Sequence, residues 1–140
     1  MRFWDSSAVL PLLLDEPGRA ESLALLESDE RLVLWWGTSV ECHSALNRRF
    51  REGSLAGDEL QLARETLRLV LQSAEQVEPT ELVRLMAHRL VAAYPLRAAD
   101  SLQLAASLAW CEQQPAGREL VSLDHRLRQV AMQEGFTVLP

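Results

Sequence analysis

Short apolar runs alternate with longer amphipathic stretches along the whole chain. The opening MRFWD reads as a strand, and RLVLWW, ending before Gly37, is a nearly continuous apolar run. Such a run suits a strand covered on both faces, as in a parallel sheet. ELVSLD (119–124) and FTVL (136–139) are two further strands, and Ala74–Val77 is a weaker one ahead of Pro79. Between them the apolar spacing predicts helices over Ser6–Leu14, Arg19–Glu27, Thr38–Arg51, Asp58–Leu71, Glu81–Tyr94, Ala98–Trp110 and His125–Glu134. The core stripe of Thr38–Arg51 is Cys42, Leu46 and Phe50. That of Asp58–Leu71 is Leu60, Ala63, Leu67 and Val70, with Leu62 and Leu69 forming a surplus second stripe. Glu81–Tyr94 carries Leu82, Leu85, Met86, Leu90 and Ala93. Ala98–Trp110 has no charge but Asp100, so it belongs in the interior. Strand and helix alternate from end to end. That order predicts a three-layer α/β/α fold with a central, mostly parallel sheet. No linker or repeat divides the chain, and residues 1–140 are expected to form a single domain.

Composition removes several classes of function. A chain of 140 residues with 48% hydrophobic and 24% charged residues is globular, and needs no disulfide or metal to fold. No stretch reaches the ~18 uninterrupted apolar residues of a membrane span. The N-terminal apolar stretch is broken by Asp5 with no small-residue cleavage pattern after it, so a cytoplasmic protein is expected. Cys42 and Cys111 have no CxxC spacing and read as free, buried thiols. Cys42-His43 has no second Cys/His cluster with which to build a zinc site. A GxxxxGK[ST] loop is absent, which removes nucleotide hydrolysis by that route. All 14 basic residues are arginine, against 20 acids, for a net charge of −6. That balance opposes loose, charge-driven nucleic-acid binding, which needs a basic footprint.

Candidate chemistry lies in four acids at strand-to-helix junctions or first helical turns: Asp5, Glu41, Asp100 and Asp124. In parallel α/β sheets ligands bind beyond the carboxyl ends of the strands, where such residues stand. Each acid also has a purely structural reading. Asp5 and Asp124 suit N-caps, Thr38-x-x-Glu41 matches a capping box, and Asp100 suits a positive helix N-terminus. As a set they say more, because converging carboxylates repel one another and raise each other's pKa. A hard divalent cation with oxygen ligands relieves that conflict, binds phosphate and activates water.

With these residues in place, the sequence resembles a PIN-domain ribonuclease of the VapC toxin type. Four segments carry the resemblance: FWDSSAV (3–9), TSVE (38–41), LRAADSLQLA (96–105) and LVSLDHRL (120–127). The resemblance implies a PIN-like fold and hydrolysis of RNA phosphodiester bonds, dependent on Mg²⁺ or Mn²⁺. It implies Asp5, Glu41, Asp100 and Asp124 as the catalytic, metal-binding quartet, with Asp5 and Asp100 as the surest ligands. Ser6 and Ser122 match hydroxyl positions near the metal, and Arg97 a basic residue facing substrate phosphate or an acid. Gln103 stands where many relatives carry His, outside the quartet. VapC-like toxins also pair with a small antitoxin protein and commonly form homodimers, so both are implied here.

Two further readings remain open: a PIN nuclease of RNA processing, and a noncatalytic α/β binding module whose acids are only caps. The basic cluster Arg48-Arg49-Phe50-Arg51 either steers RNA or complements a helix C-terminus. Phe50, Trp4, Trp35, Trp36 and Trp110 are expected in the core, and His43, His88 and His125 are expected to carry no chemistry.

Overall fold

A computed structural model describes residues 1–140. Strand β1 (Arg2–Trp4) leads through α1 (Ser6–Leu13) and α2 (Arg19–Ser28) to β2 (Leu32–Trp35). Helices α3 (Thr38–Arg51) and α4 (Gly57–Ser73) precede β3 (Glu75–Val77); α5 (Glu81–Ala93) and α6 (Ala98–Trp110) precede β4 (Glu119–Val121). The chain ends with α7 (His125–Glu134) and β5 (Thr137–Leu139). The sheet order is β3-β2-β1-β4-β5, and every pairing is parallel. The expected three-layer architecture is present, with a sheet that is wholly rather than mostly parallel.

The continuous apolar strands are explained by two cores. Phe3 pairs in register with Val33 and Leu120, and all three face the core made with α5, α6 and α7. Trp4 pairs with Leu34 and Val121, and these face the core made with α1, α3 and α4. The strand period of 2 sends alternate residues to opposite faces, and both faces are covered. Leu46, Leu67, Leu90, Leu104 and Leu127 are fully enclosed. Burial of each such side chain stabilises the fold by about 1.5–3 kcal/mol. Cys42 and Cys111 are free and buried, as expected.

Three packing expectations need correction. Phe50 is 46% exposed, because it lies on the last turn of α3 and Leu55 from the following turn joins the core instead. On α5 the buried stripe is Val83, Met86, Ala87 and Leu90, while Leu82, Leu85 and Ala93 are exposed. Packing against α6 selects that stripe, at the i, i+3, i+4, i+7 spacing of one helical face. Trp35 is buried but Trp36, just past the end of β2, is half exposed. Gly37 turns the chain from β2 into α3, and a Cβ there would collide with the Trp35 indole.

The topology fixes where a site belongs. From β1 the chain moves to β2 on one side, and from the adjacent β4 it moves to β5 on the other. Neighbouring strands whose connections depart in opposite directions leave a crevice at their carboxyl ends. Asp5 follows β1 directly, and Ser122–Asp124 follow β4.

Candidate active site

The crevice is a cleft of about 430 Å³ whose lining includes Asp5, Glu41, Asp100 and Asp124. Residues up to 119 positions apart in sequence thus share one wall system. Ser6 and Ser7 line it as well, while Ser122 lies beneath it, fully buried.

Asp5 is 3% exposed, an unusual location for a carboxylate. Its Oδ1 accepts a hydrogen bond from Ser7 Oγ at 2.7 Å. Burial dominates its titration and pushes the pKa up to about 7; hydrogen bonds from Ser7 and Ser122 offset this only in part. Asp5 occupies the N-cap position of α1 without a formed side-chain cap bond, although the nearby Ser7 and Ala8 backbone N–H groups oppose the rise of its pKa.

Glu41 also departs from its structural alternative. The N-cap of α3 is Gly37, which makes Thr38 a helical residue and rules out the capping box. Instead Ser6 Oγ donates to Glu41 Oε2 at 2.7 Å, and Gln103 Nε2 donates to Glu41 Oε1 at 3.2 Å. Gln103 also donates to Thr38 Oγ1 at 3.0 Å and is 1% exposed. Burial, and then the nearby Asp100 charge, raise the Glu41 pKa against these hydrogen bonds.

Asp100 sits in the first turn of α6, whose N-cap, Arg97, makes no side-chain cap. Its pKa is raised by burial and by the charge of Asp124, with Arg97 and Arg126 pulling the other way. Asp124 does cap α7: its Oδ1 accepts from Leu127 N at 2.8 Å. The backbone of this acid is pinned from β1's side of the sheet. Ser7 Oγ accepts from Leu123 N at 2.9 Å and Asp124 N at 3.1 Å, and Ser122 Oγ accepts from Asp124 N at 3.1 Å.

Beside the acids lies a second concavity of about 600 Å³. It shares Glu41, Arg48, Asp100 and Asp124 with the first and adds Arg97 and Arg126.

The donor set fits a hard divalent cation: carboxylate and hydroxyl oxygens only, with the Cys42 thiol turned into the core. Burial raises the pKa values of Asp5, Glu41 and Asp100, and neighbouring carboxylates add to the effect at Glu41 and Asp100. As placed, no three acids stand close enough to ligate one ion, and Asp5 and Glu41 are held by serines instead.

A family model described as PIN domain matches residues 2–132, nearly the whole chain. The chain belongs to the PIN-domain family. Solved PIN-type structures share its fold. VapBC2 from Rickettsia felis, bound to a DNA fragment from their promoter, matches with a TM-score of 0.71 at 9% identity, covering 99% of this chain and 98% of that one. VapC20 of Mycobacterium tuberculosis, described as a sarcin-ricin-loop-cleaving toxin, matches with a TM-score of 0.69 at 17% identity over 100% of both chains. A toxin–antitoxin complex from Klebsiella pneumoniae matches with a TM-score of 0.62 at 15% identity, covering 89% and 87%. No curated protein matches the chain in sequence. No helix of this PIN domain is long and apolar enough to cross a membrane.

Sequence reasoning named the four acids, Ser6, Ser122 and Arg97, and left three participants of the PIN cleft without a role. Ser7 bridges Asp5 to the β4–α7 junction, but its partners are more than 100 residues away in sequence. Gln103 holds Glu41, and a signal existed. It is a long polar residue in a buried helix, three positions from Asp100 and therefore on the same face. Arg126 joins the second concavity from the first turn of α7. His43, His88 and His125 are exposed.

Proposed function

We propose that this PIN domain is a divalent-metal-dependent endoribonuclease, the toxin of a toxin–antitoxin pair, with Asp5, Glu41, Asp100 and Asp124 as its catalytic acids. The observation that carries the reading is the meeting of all four acids in one cleft at the sheet's switch point. Mg²⁺ or Mn²⁺ would be held by Asp5 and Asp100, with Glu41 and Asp124 completing the shell directly or through water. Such an ion, when bound, polarises the scissile phosphate and lowers the pKa of water.

The chain's own groups supply the rest. Glu41 is clamped at both oxygens by Ser6 and Gln103, and its raised pKa brings it closer to neutrality, as suits a base accepting a proton from water. Asp124 is fixed by its backbone bonds and by its cap on α7, which commits Oδ1 and leaves Oδ2 without a hydrogen-bond partner in the chain. Ser7 and Ser122 hold the buried Asp5 carboxyl in place. Arg97 stands close enough to influence Asp100 and is suited to a substrate phosphate.

RNA as substrate and a small antitoxin as partner are supported by the similar structures, one described as a sarcin-ricin-loop-cleaving toxin and one as a toxin–antitoxin complex. Exposed Leu62, Leu69, Leu82 and Leu85 on α4 and α5 offer apolar surface for a protein partner. The test is induction of the wild type and of Asp5→Asn in cells, with new RNA ends mapped in both. The wild type is expected to arrest growth and generate discrete ends, and co-expression of a neighbouring small reading frame to relieve the arrest. Identical RNA ends with Asp5→Asn would refute the site, and cleavage without arrest would favour RNA processing over a toxin.

A further inference from the structure

A chain with a net charge of −6 that acts on RNA must hold a polyanion with few placed cations. Most of its arginines are committed elsewhere. Six are ion-paired with carboxylates. Arg19, Arg64 and Arg128 are spent on backbone or amide oxygens, and Arg118 lies over the Trp110 ring. Arg48, Arg51 and Arg97 have neither an ion pair nor a hydrogen bond, and Arg126 has a single 3.3 Å bond to the Pro95 carbonyl.

Three of these four line one wall. Arg48, Arg97 and Arg126 come from α3, the N-cap of α6 and the first turn of α7, and meet in the second concavity. They share it with Glu41, Asp100 and Asp124 yet none forms an ion pair with them. Arg48 also lines the acidic cleft, so the two spaces adjoin and share that side chain as well as three of the acids. Arg51, equally free and on the same helix as Arg48, lines neither.

We propose that this concavity is a phosphate-binding annex, in which Arg48, Arg97 and Arg126 hold the backbone of single-stranded RNA beside the bond to be cut. The proposal deepens the nuclease reading and rests on it. One phosphodiester lies against the acids, and its neighbours along the strand lie against guanidinium groups whose planar forks match phosphate oxygens. The first turn of α6, left without a side-chain cap, adds backbone N–H groups beside Ala99 on the same wall. Three arginines serve about three phosphates, one each, a short single-stranded segment rather than a duplex face. The annex reads charge and not base, so sequence preference must come from elsewhere in the cleft.

The test is the salt dependence of binding, followed by fluorescence anisotropy with a labelled single-stranded RNA in Mn²⁺. For single strands, log affinity against log salt loses about 0.7 of slope for each phosphate contact removed. The triple variant Arg48→Ala/Arg97→Ala/Arg126→Ala is expected to lower the slope by about 2 and each single variant by about 0.7. The corresponding Lys variants should retain most of the slope, since a point charge still releases counterions, and Arg51→Ala should leave it unchanged. A triple variant with the wild-type slope, an equal loss in Arg51→Ala, or no RNA binding by the wild type would overturn the annex. Cleavage of the same RNA is scored in parallel. A folded wild type that binds through the annex without cutting contradicts the nuclease reading alone, whereas cutting with an unchanged slope in the triple variant contradicts the annex alone.

Discussion

Replacing Asp5 with Asn should make the metal-free protein more stable at neutral pH, the reverse of the usual result for a buried polar residue. Asp5 is 3% exposed and its pKa is pushed from 3.8 to about 7 by burial. In the unfolded chain it ionises near 3.8, so between that value and about 7 the folded state holds a proton that the unfolded state has released. Stability therefore falls as pH rises through this window, and levels off above it. The rise from 3.8 to about 7, at about 1.36 kcal/mol for each tenfold change in proton affinity, amounts to roughly 4 kcal/mol. That is a large share of the ~5–15 kcal/mol of a whole domain. Asn keeps the shape and has no charge to desolvate, so in EDTA the Asp5→Asn protein should match the wild type near pH 4 and exceed it by up to about 4 kcal/mol near pH 8. Urea unfolding of both proteins across this pH range measures the difference directly. Added Mn²⁺ should stabilise the wild type and leave the variant unmoved, since only a bound ion shifts the folding equilibrium. A stability difference that does not change with pH would refute the buried, uncompensated carboxyl on which the site depends.

Two other substitutions separate holding from chemistry. Gln103→Leu removes the amide donor from Glu41, and a hydrogen bond to a charged group is worth about 1.5–3 kcal/mol; single-turnover cleavage should slow roughly 10- to 100-fold in the chemical step, with RNA affinity unchanged. Asp124→Asn should keep the α7 cap and its stability while losing cleavage, whereas Asp124→Ala should lose both, with about 1 kcal/mol of destabilisation by urea unfolding.

Most of the fold was legible in the sequence because its central strands are apolar on both faces and strand and helix patterns alternate, while the edge strand β3, Glu-Gln-Val, gave only a weak signal. The pairing order β3-β2-β1-β4-β5 was not, since periodicity carries no record of which strands neighbour each other. Asp5, Glu41 and Asp124 were legible because each stands where a parallel strand passes into a helix, and Asp100 because it is the one charge in the first turn of the otherwise uncharged α6. What joins them was not. Ser7, Gln103 and Arg126 act through partners remote in sequence, and only the closed sheet brings those partners together. Three apolar residues are exposed for local reasons: Phe50 lies on the last turn of α3, Trp36 just past the end of β2, and Leu85 one step around α5 from the packed face. Of the structural alternatives, the geometry upholds the cap at Asp124 and the helix N-terminal position of Asp100, and forms no side-chain cap at Asp5 or capping box at Thr38–Glu41.

Cleavage of cellular RNA by the purified protein tests the central claim most directly, comparing Mn²⁺ with EDTA and the wild type with Asp5→Asn. Discrete fragments should form with the wild type in Mn²⁺, and disappear both in EDTA and in the Asp5→Asn protein. Fragments that persist undiminished in EDTA, or in the folded Asp5→Asn protein, would contradict the account.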